Sequence, residues 1–198
     1  MDIKLIIDRS KEILFNPKAE WQKINEETTG TKDVLMGFVL PYLILNFIAS
    51  IIGNFLFKTI FFSPLYFIAF AFVNLFVYLI ILYITPVILQ ALAKSFSAEV
   101  DKVKAFKLVS YSFTPSYIIG IIVGLLPLLS IFGIVGLYGL YIMWVGFDIL
   151  LKVPEDKKVG FYIVSILIII GEFLILSLIL GAILLSFFAT GSFLYNYG

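Results

Sequence analysis

Few side chains in this sequence could do chemistry, and one stands apart. Glu172 is the only charged residue after Lys158. A carboxyl group set deep in an apolar run is costly to ionise, so it takes up a proton or finds a donor. Such a group supports two roles: a proton-linked or cation-linked site at the middle of a membrane, or a hydrogen-bonding contact that holds helices together. Counting from the ends of the apolar runs puts Asn46, Asn74, Tyr78, Tyr138 and Tyr141 at similar depth. Asp148 is followed one helical turn later by Lys152, a spacing that predicts an ion pair at the interface. The chain has no histidine and no cysteine. Disulfides, thiol and imidazole catalysis and Cys/His zinc sites are therefore excluded. No catalytic residue, metal ligand set or cofactor site is predicted.

The elements that must position these residues follow from hydropathy. Of 198 residues, 62% are hydrophobic and 14% charged. Soluble domains are nearer half apolar and a quarter charged, so lipid is the solvent that suits this composition. A net charge of +1 gives no reason to expect nucleic acid binding. The expected architecture is all-α, a polytopic membrane protein with five transmembrane helices. Residues 35–57 are free of charge and suit one crossing. Residues 59–93 exceed one, so Ser63-Pro64 is read as ending an outer turn before a helix over 65–91. Residues 108–147 form a hairpin of two crossings that turns near 127–130. A final span covers 159–188.

Lysine and arginine positions set the orientation. Lys4, Arg9, Lys11, Lys18, Lys23 and Lys32 precede the first span. Lys94, Lys102, Lys104 and Lys107 lie between the second and third, and Lys152, Lys157 and Lys158 between the fourth and fifth. Five crossings place all of these on one side and leave Lys58 alone on the other. The positive-inside rule then predicts a cytoplasmic N-terminus and an external C-terminus. No signal peptide precedes the first span, and a bacterial inner membrane is the expected location. The expected division is a cytoplasmic segment 1–34, a transmembrane domain 35–188 and a short external tail 189–198.

The N-terminal segment reads as amphipathic. Ile3, Ile6, Ile7, Ser10, Ile13 and Leu14 recur at helical spacing, suited to the membrane interface. Asn16 is expected to cap a second helix with Pro17 at its first position, and Trp21 to anchor it at the interface. Ser97 is expected to cap a helix near Ala98 with Glu99 in its first turn. Its narrow apolar stripe would be Val100, Val103 and Phe106, with Lys107 on the same side. Gly120 and Gly124, and the row Gly133, Gly136 and Gly139, predict close packing of the third span on the fourth, with a homodimer interface as the alternative. Pro41, Pro86 and Pro115 predict kinks. Phe61, Phe62, Tyr66, Phe67, Tyr195 and Tyr197 predict an outer aromatic belt.

Two stretches resemble prokaryotic members of the Yip family, the Ypt/Rab-interacting membrane proteins. One is the run from Ile13 to Ile24 with Asn16-Pro17 and Trp21. The other holds Tyr111-Ser112-Phe113-Thr114-Pro115, then Gly136-Leu137-Tyr138-Gly139-Leu140-Tyr141, then Val153-Pro154-Glu155-Asp156-Lys157-Lys158. The resemblance implies a five-span fold with a cytoplasmic N-terminus. In eukaryotic members it implies contact with Rab-type GTPases and a role in membrane trafficking or shaping. Asp33-Val34-Leu35-Met36-Gly37 departs from the Asp-Leu-Tyr-Gly-Pro motif of those members. The expected function is non-enzymatic: organising membrane, or holding a protein partner at the cytoplasmic face. The alternative is a small transporter or channel built around Glu172.

Overall fold

The computed structural model describes residues 3–57, 64–151 and 153–197. Two short helices, α1 (Ile3–Phe15) and α2 (Pro17–Glu26), precede five helices long and apolar enough to cross a membrane. These spans are Thr31–Leu56, Leu65–Phe96, Lys102–Leu125, Pro127–Leu150 and Glu155–Phe188. The fold is all-α, and the protein is an integral membrane protein. One end of the bundle gathers α1, α2, the connection at 97–101 and residues 153–154 before the fifth span. Lys104 there reaches Asn25, and Lys157 reaches Ser97. We call it the basic end. The fifth helix runs on to Tyr197 where the sequence suggested a tail after residue 188. Lys58, Phe61, Phe62 and Lys152 lie outside the described residues.

The third span is the hub. Its stretch from Ala105 to Ser112 is buried on every side, with the first, second and fourth spans around it. The fifth span packs along the second and meets the fourth toward the basic end, where Tyr162 OH donates to the Leu140 carbonyl and the rings of Phe161 and Tyr162 lie against Phe147. Glycines set the closest approaches. Gly120 and Gly124 turn to Asn46, Ala49 and Ser50 of the first span, not to the fourth as expected. Gly53 faces them, with a Cβ there running into the Gly124 carbonyl. Gly136 and Gly139 do pack the fourth span against Ser116 and Ser112 of the third.

Each proline has a local accommodation. Before Pro41 the helix widens into a π-turn, Leu35–Val39, in which Leu40 N bonds Leu35 O. A wider turn is one way a helix absorbs a lost donor. Pro86 sits inside the second span. Pro115 cannot donate to the carbonyl four residues back, that of Tyr111. The Thr114 hydroxyl donates to that carbonyl instead, at 2.6 Å, and both residues are buried. This gives the Tyr-x-x-Thr-Pro run a physical role: threonine replaces the hydrogen bond that proline removes, and the third span bends without an orphaned acceptor. The turn into the fourth span falls at Leu126 and Pro127, and that span opens as a 3-10 helix, Pro127–Leu137.

Other caps differ from expectation. Ser97 does not start a helix. Its φ of 54° and the bond from Ala98 N to Ala93 O close the second span. Asp101 caps the third span by accepting from Lys104 N at 2.9 Å. The stretch after Ser97 is thus the start of a span, not a separate interfacial helix. Asn16 precedes α2 without a capping bond from its side chain, although Pro17 holds its first position.

Two substitutions test this packing. Thr114→Val leaves the buried Tyr111 carbonyl without its hydroxyl donor and is expected to cost about 1–3 kcal/mol, read by thermal unfolding in detergent. A Cβ at Gly146 would come within 2.5 Å of Trp21 Cε2 and 2.8 Å of Leu108 Cδ1. Gly146→Leu is therefore expected to lose about 1–3 kcal/mol through overpacking, in the same assay.

Candidate functional site

The most polar part of the structure is where α1 and α2 dock on the bundle. α1 turns Ile6, Ser10 and Ile13 inward. Ser10 Oγ shares a 2.6 Å hydrogen bond with Tyr42 OH. α2 drives Trp21 into the interior, fully buried, where Nε1 donates to the Ile142 carbonyl at 2.9 Å. The indole lies edge-on to Tyr111 with ring centroids 6.2 Å apart. Glycine at 146 leaves room for it. Trp21 is thus a wedge between the third and fourth spans, not an anchor in lipid. An indole with its N–H satisfied inside protein gains the same apolar burial that an interface would give it.

Charge closes the same joint. Arg9 Nη1 lies 2.7 Å from Glu20 Oε1, Nη2 bonds Glu27, and the guanidinium sits 5.6 Å from the Tyr111 ring centre. Lys23 also reaches Glu20, at 3.1 Å. Burial alone lowers the Arg9 pKa. The Glu27 hydrogen bond and the nearby Tyr111, Glu27 and Glu20 outweigh it, and the pKa ends above the ordinary value. Arg9 is a permanent cation. Lys107, 3% exposed, donates to the carbonyls of Ile24 at 3.2 Å and Glu27 at 2.8 Å. Its ammonium caps the C-terminal end of α2, where free carbonyls and the helix dipole favour a cation. Beside this joint lies an open cleft of about 660 Å³. Asp8, Glu12, Glu27 and Asp33 stand on its walls, with Phe38 and Tyr111 among its apolar lining.

Glu172 turns toward the second span. Its Oε2 accepts from Thr85 Oγ1 at 2.5 Å, while Oε1 is buried without a hydrogen-bond partner among the described residues. The residues counted to similar depth do not join it. Asn46 bridges the first and third spans by donating to Tyr42 O and Tyr117 O, each at 2.9 Å. Asn74 donates to Phe70 O in its own helix. Tyr138 OH reaches Leu14 O at 2.9 Å, tying the fourth span to α1, and Tyr141 is half exposed and lies against Tyr138. Thr85 gave no signal in sequence, because a threonine in an apolar helix usually bonds its own backbone.

Asp148 is held by Lys158 Nζ at 2.5 Å, and that ammonium lies 5.1 Å from the Trp144 ring centre. This pair links the fourth span to the fifth across their connection. Of the predicted aromatic belt, Tyr66 packs on Phe67 and on Phe188 of the fifth span. Among the described residues no cluster of His, Cys, Asp or Glu could hold a metal ion.

Removing Arg9 tests the joint. Arg9→Gln leaves Glu20, 3% exposed, with one partner fewer. The expected loss is about 3 kcal/mol, seen as faster hydrogen exchange in α1 and α2. Adding Glu20→Gln in that background is expected to recover part of it.

A family model described as the Yip1 domain matches residues 11–179. No curated protein and no solved structure matches the chain.

Proposed function

Because this chain belongs to the Yip1 domain family, we propose that it is a non-enzymatic membrane organiser that presents a fixed amphipathic platform at its basic end. The observation that carries this reading is α1 itself. It is clamped to the bundle through Ile6, Ser10, Ile13 and Arg9, yet it leaves Ile3, Leu5, Ile7 and Phe15 exposed at 62%, 66%, 45% and 79%. Ile3 and Ile7 lie one turn apart beside the buried stripe, and Lys4 and Lys11 come next around the helix. Apolar side chains flanked by lysine suit the boundary between acyl chains and anionic headgroups. A helix held rigidly in that plane wedges one leaflet, or offers a docking edge to a protein partner beside the acidic cleft. On this reading the basic end is cytoplasmic, and the membrane is a bacterial inner membrane.

Replacing Ile3 and Ile7 by Asp tests it. Both are exposed, so the double variant is expected to keep the thermal stability of the parent. It is expected to lose any change in vesicle size or curvature that the reconstituted wild type produces. Unchanged remodelling by a folded double variant contradicts the membrane role. Crosslinking followed by mass spectrometry on the same pair of proteins reads the partner role.

Glu172 supports a second reading, transport coupled to a proton or cation. Its buried Oε1 without a partner beside the Thr85 bond is the observation in favour. Glu172→Gln keeps the hydrogen bond but removes the ionisable group. The transport reading expects it to abolish a proton flux in proteoliposomes, and the platform reading expects no flux in either protein.

A further inference from the structure

Between the first, second and third spans lies a recess of about 200 Å³, in the half of the bundle away from the basic end. Its lining carries Asn46 and Ser50 from the first span and Asn74 and Tyr78 from the second. None of these is charged at neutral pH. Asn46 and Asn74 each lie about 15 Å along the helix axis from the nearer end of their span, at about 1.5 Å per residue. The recess therefore reaches toward the middle of a hydrocarbon core about 30 Å thick.

The two amides are oriented so that their oxygens are left over. Asn46 Nδ2 donates to Tyr42 O and Tyr117 O, and Asn74 Nδ2 to Phe70 O. Carbonyl acceptors thus fix each nitrogen, and with it the position of each oxygen. Neither Oδ1 has a hydrogen-bond partner among the described residues, and the Tyr78 hydroxyl has none either. All three atoms keep accessible surface, unlike the Tyr117 hydroxyl in the neighbouring ring, which is sealed off without a partner. Asn46 Oδ1 lies where a Cβ at residue 120 would overlap it, so glycine there gives that oxygen its place.

We infer that this recess is hydrated, holding a small cluster of water molecules inside the membrane on the Asn46 and Asn74 oxygens and the Tyr78 and Ser50 hydroxyls. Hydrocarbon is the poorer occupant. It offers these groups neither donors nor acceptors, and a polar group left bare in apolar surroundings costs about 1–3 kcal/mol. Water in a cavity needs roughly two to four polar partners and about 30 Å³ as its share of volume, and the recess supplies partners and space for several. Glu172 does not line it. The inference is therefore separate from the transport reading, and it holds whether or not the basic end acts as a platform.

The sequence contains no cysteine, so one introduced thiol reports one position. The test uses the full chain in lipid nanodiscs, where both faces are reachable, and a charged methanethiosulfonate that does not enter hydrocarbon. Ser50→Cys puts a thiol of nearly the same size on the recess wall. Ile48→Cys and Ile52→Cys, at positions exposed at 46% and 43% on the same helix, bracket it in depth and report lipid. The thiolate is the reacting form and is suppressed in apolar surroundings, so Ser50→Cys is expected to react about tenfold faster than either. In the Ser50→Cys background, Asn74→Leu replaces a side chain that bonds only its own helix. It is expected to slow labelling toward the lipid-facing rate, with the fold checked by circular dichroism. Tyr78→Phe, which removes only a hydroxyl, takes its place if Asn74→Leu does not fold. Labelling of Ser50→Cys no faster than that of the lipid-facing pair overturns the inference and means that hydrocarbon or repacked side chains fill the space. Unchanged labelling in the folded second variant overturns it too, because these polar groups would then not be what holds the water.

Discussion

The structure depends on how the third span is covered at the basic end. That helix is buried all round from Ala105 to Ser112 and carries a lysine, a tyrosine and two serines in that stretch. Lipid cannot satisfy such groups, because the hydrocarbon offers neither donors nor acceptors. The cover comes from α1 and α2. Lys107 finds the last carbonyls of α2, and Tyr111 finds Trp21, Phe38 and the Arg9 guanidinium. The two short helices thereby become part of the bundle, and the polar groups of the third span explain why they must be there.

Close backbone approach does the rest. Helices in lipid gain little from excluding apolar surface, so small residues and hydrogen bonds across helices carry their association. Gly53, Gly120 and Gly124 bring the first and third spans together, and Asn46 bridges them. Gly136 and Gly139 do the same for the third and fourth. The fifth span joins the fourth by side chains rather than by glycines, through Tyr162 OH on the Leu140 carbonyl and Lys158 on Asp148. It meets the second span through the Glu172 and Thr85 pair.

The spans were legible because an uncharged run of crossing length has few other meanings, and the turn at Pro127 followed from a run twice that length. The family resemblance was legible in Asn16-Pro17, Trp21 and the Thr114-Pro115 break. Which surface an apolar stripe meets was not legible. Ile6 and Trp21 look the same in sequence whether lipid or protein receives them. Gly120 and Gly124 announced close packing without naming the neighbour. Lys107 looked like an interruption of a weak stripe, although a buried cation can be satisfied by carbonyls at a helix end. Ser97 and Asp101 are both capping residue types. The left-handed conformation at Ser97, which ends one helix, left Asp101 to start the next.

The account rests most directly on Trp21 lying inside protein, and quenching of its fluorescence measures that. With Trp144→Phe leaving a single tryptophan, the protein is placed in vesicles of brominated phospholipid and, separately, exposed to acrylamide. The account predicts blue-shifted emission that neither quencher reduces appreciably. Strong quenching by the brominated chains would put Trp21 in the lipid interface, and the docked platform would then be wrong.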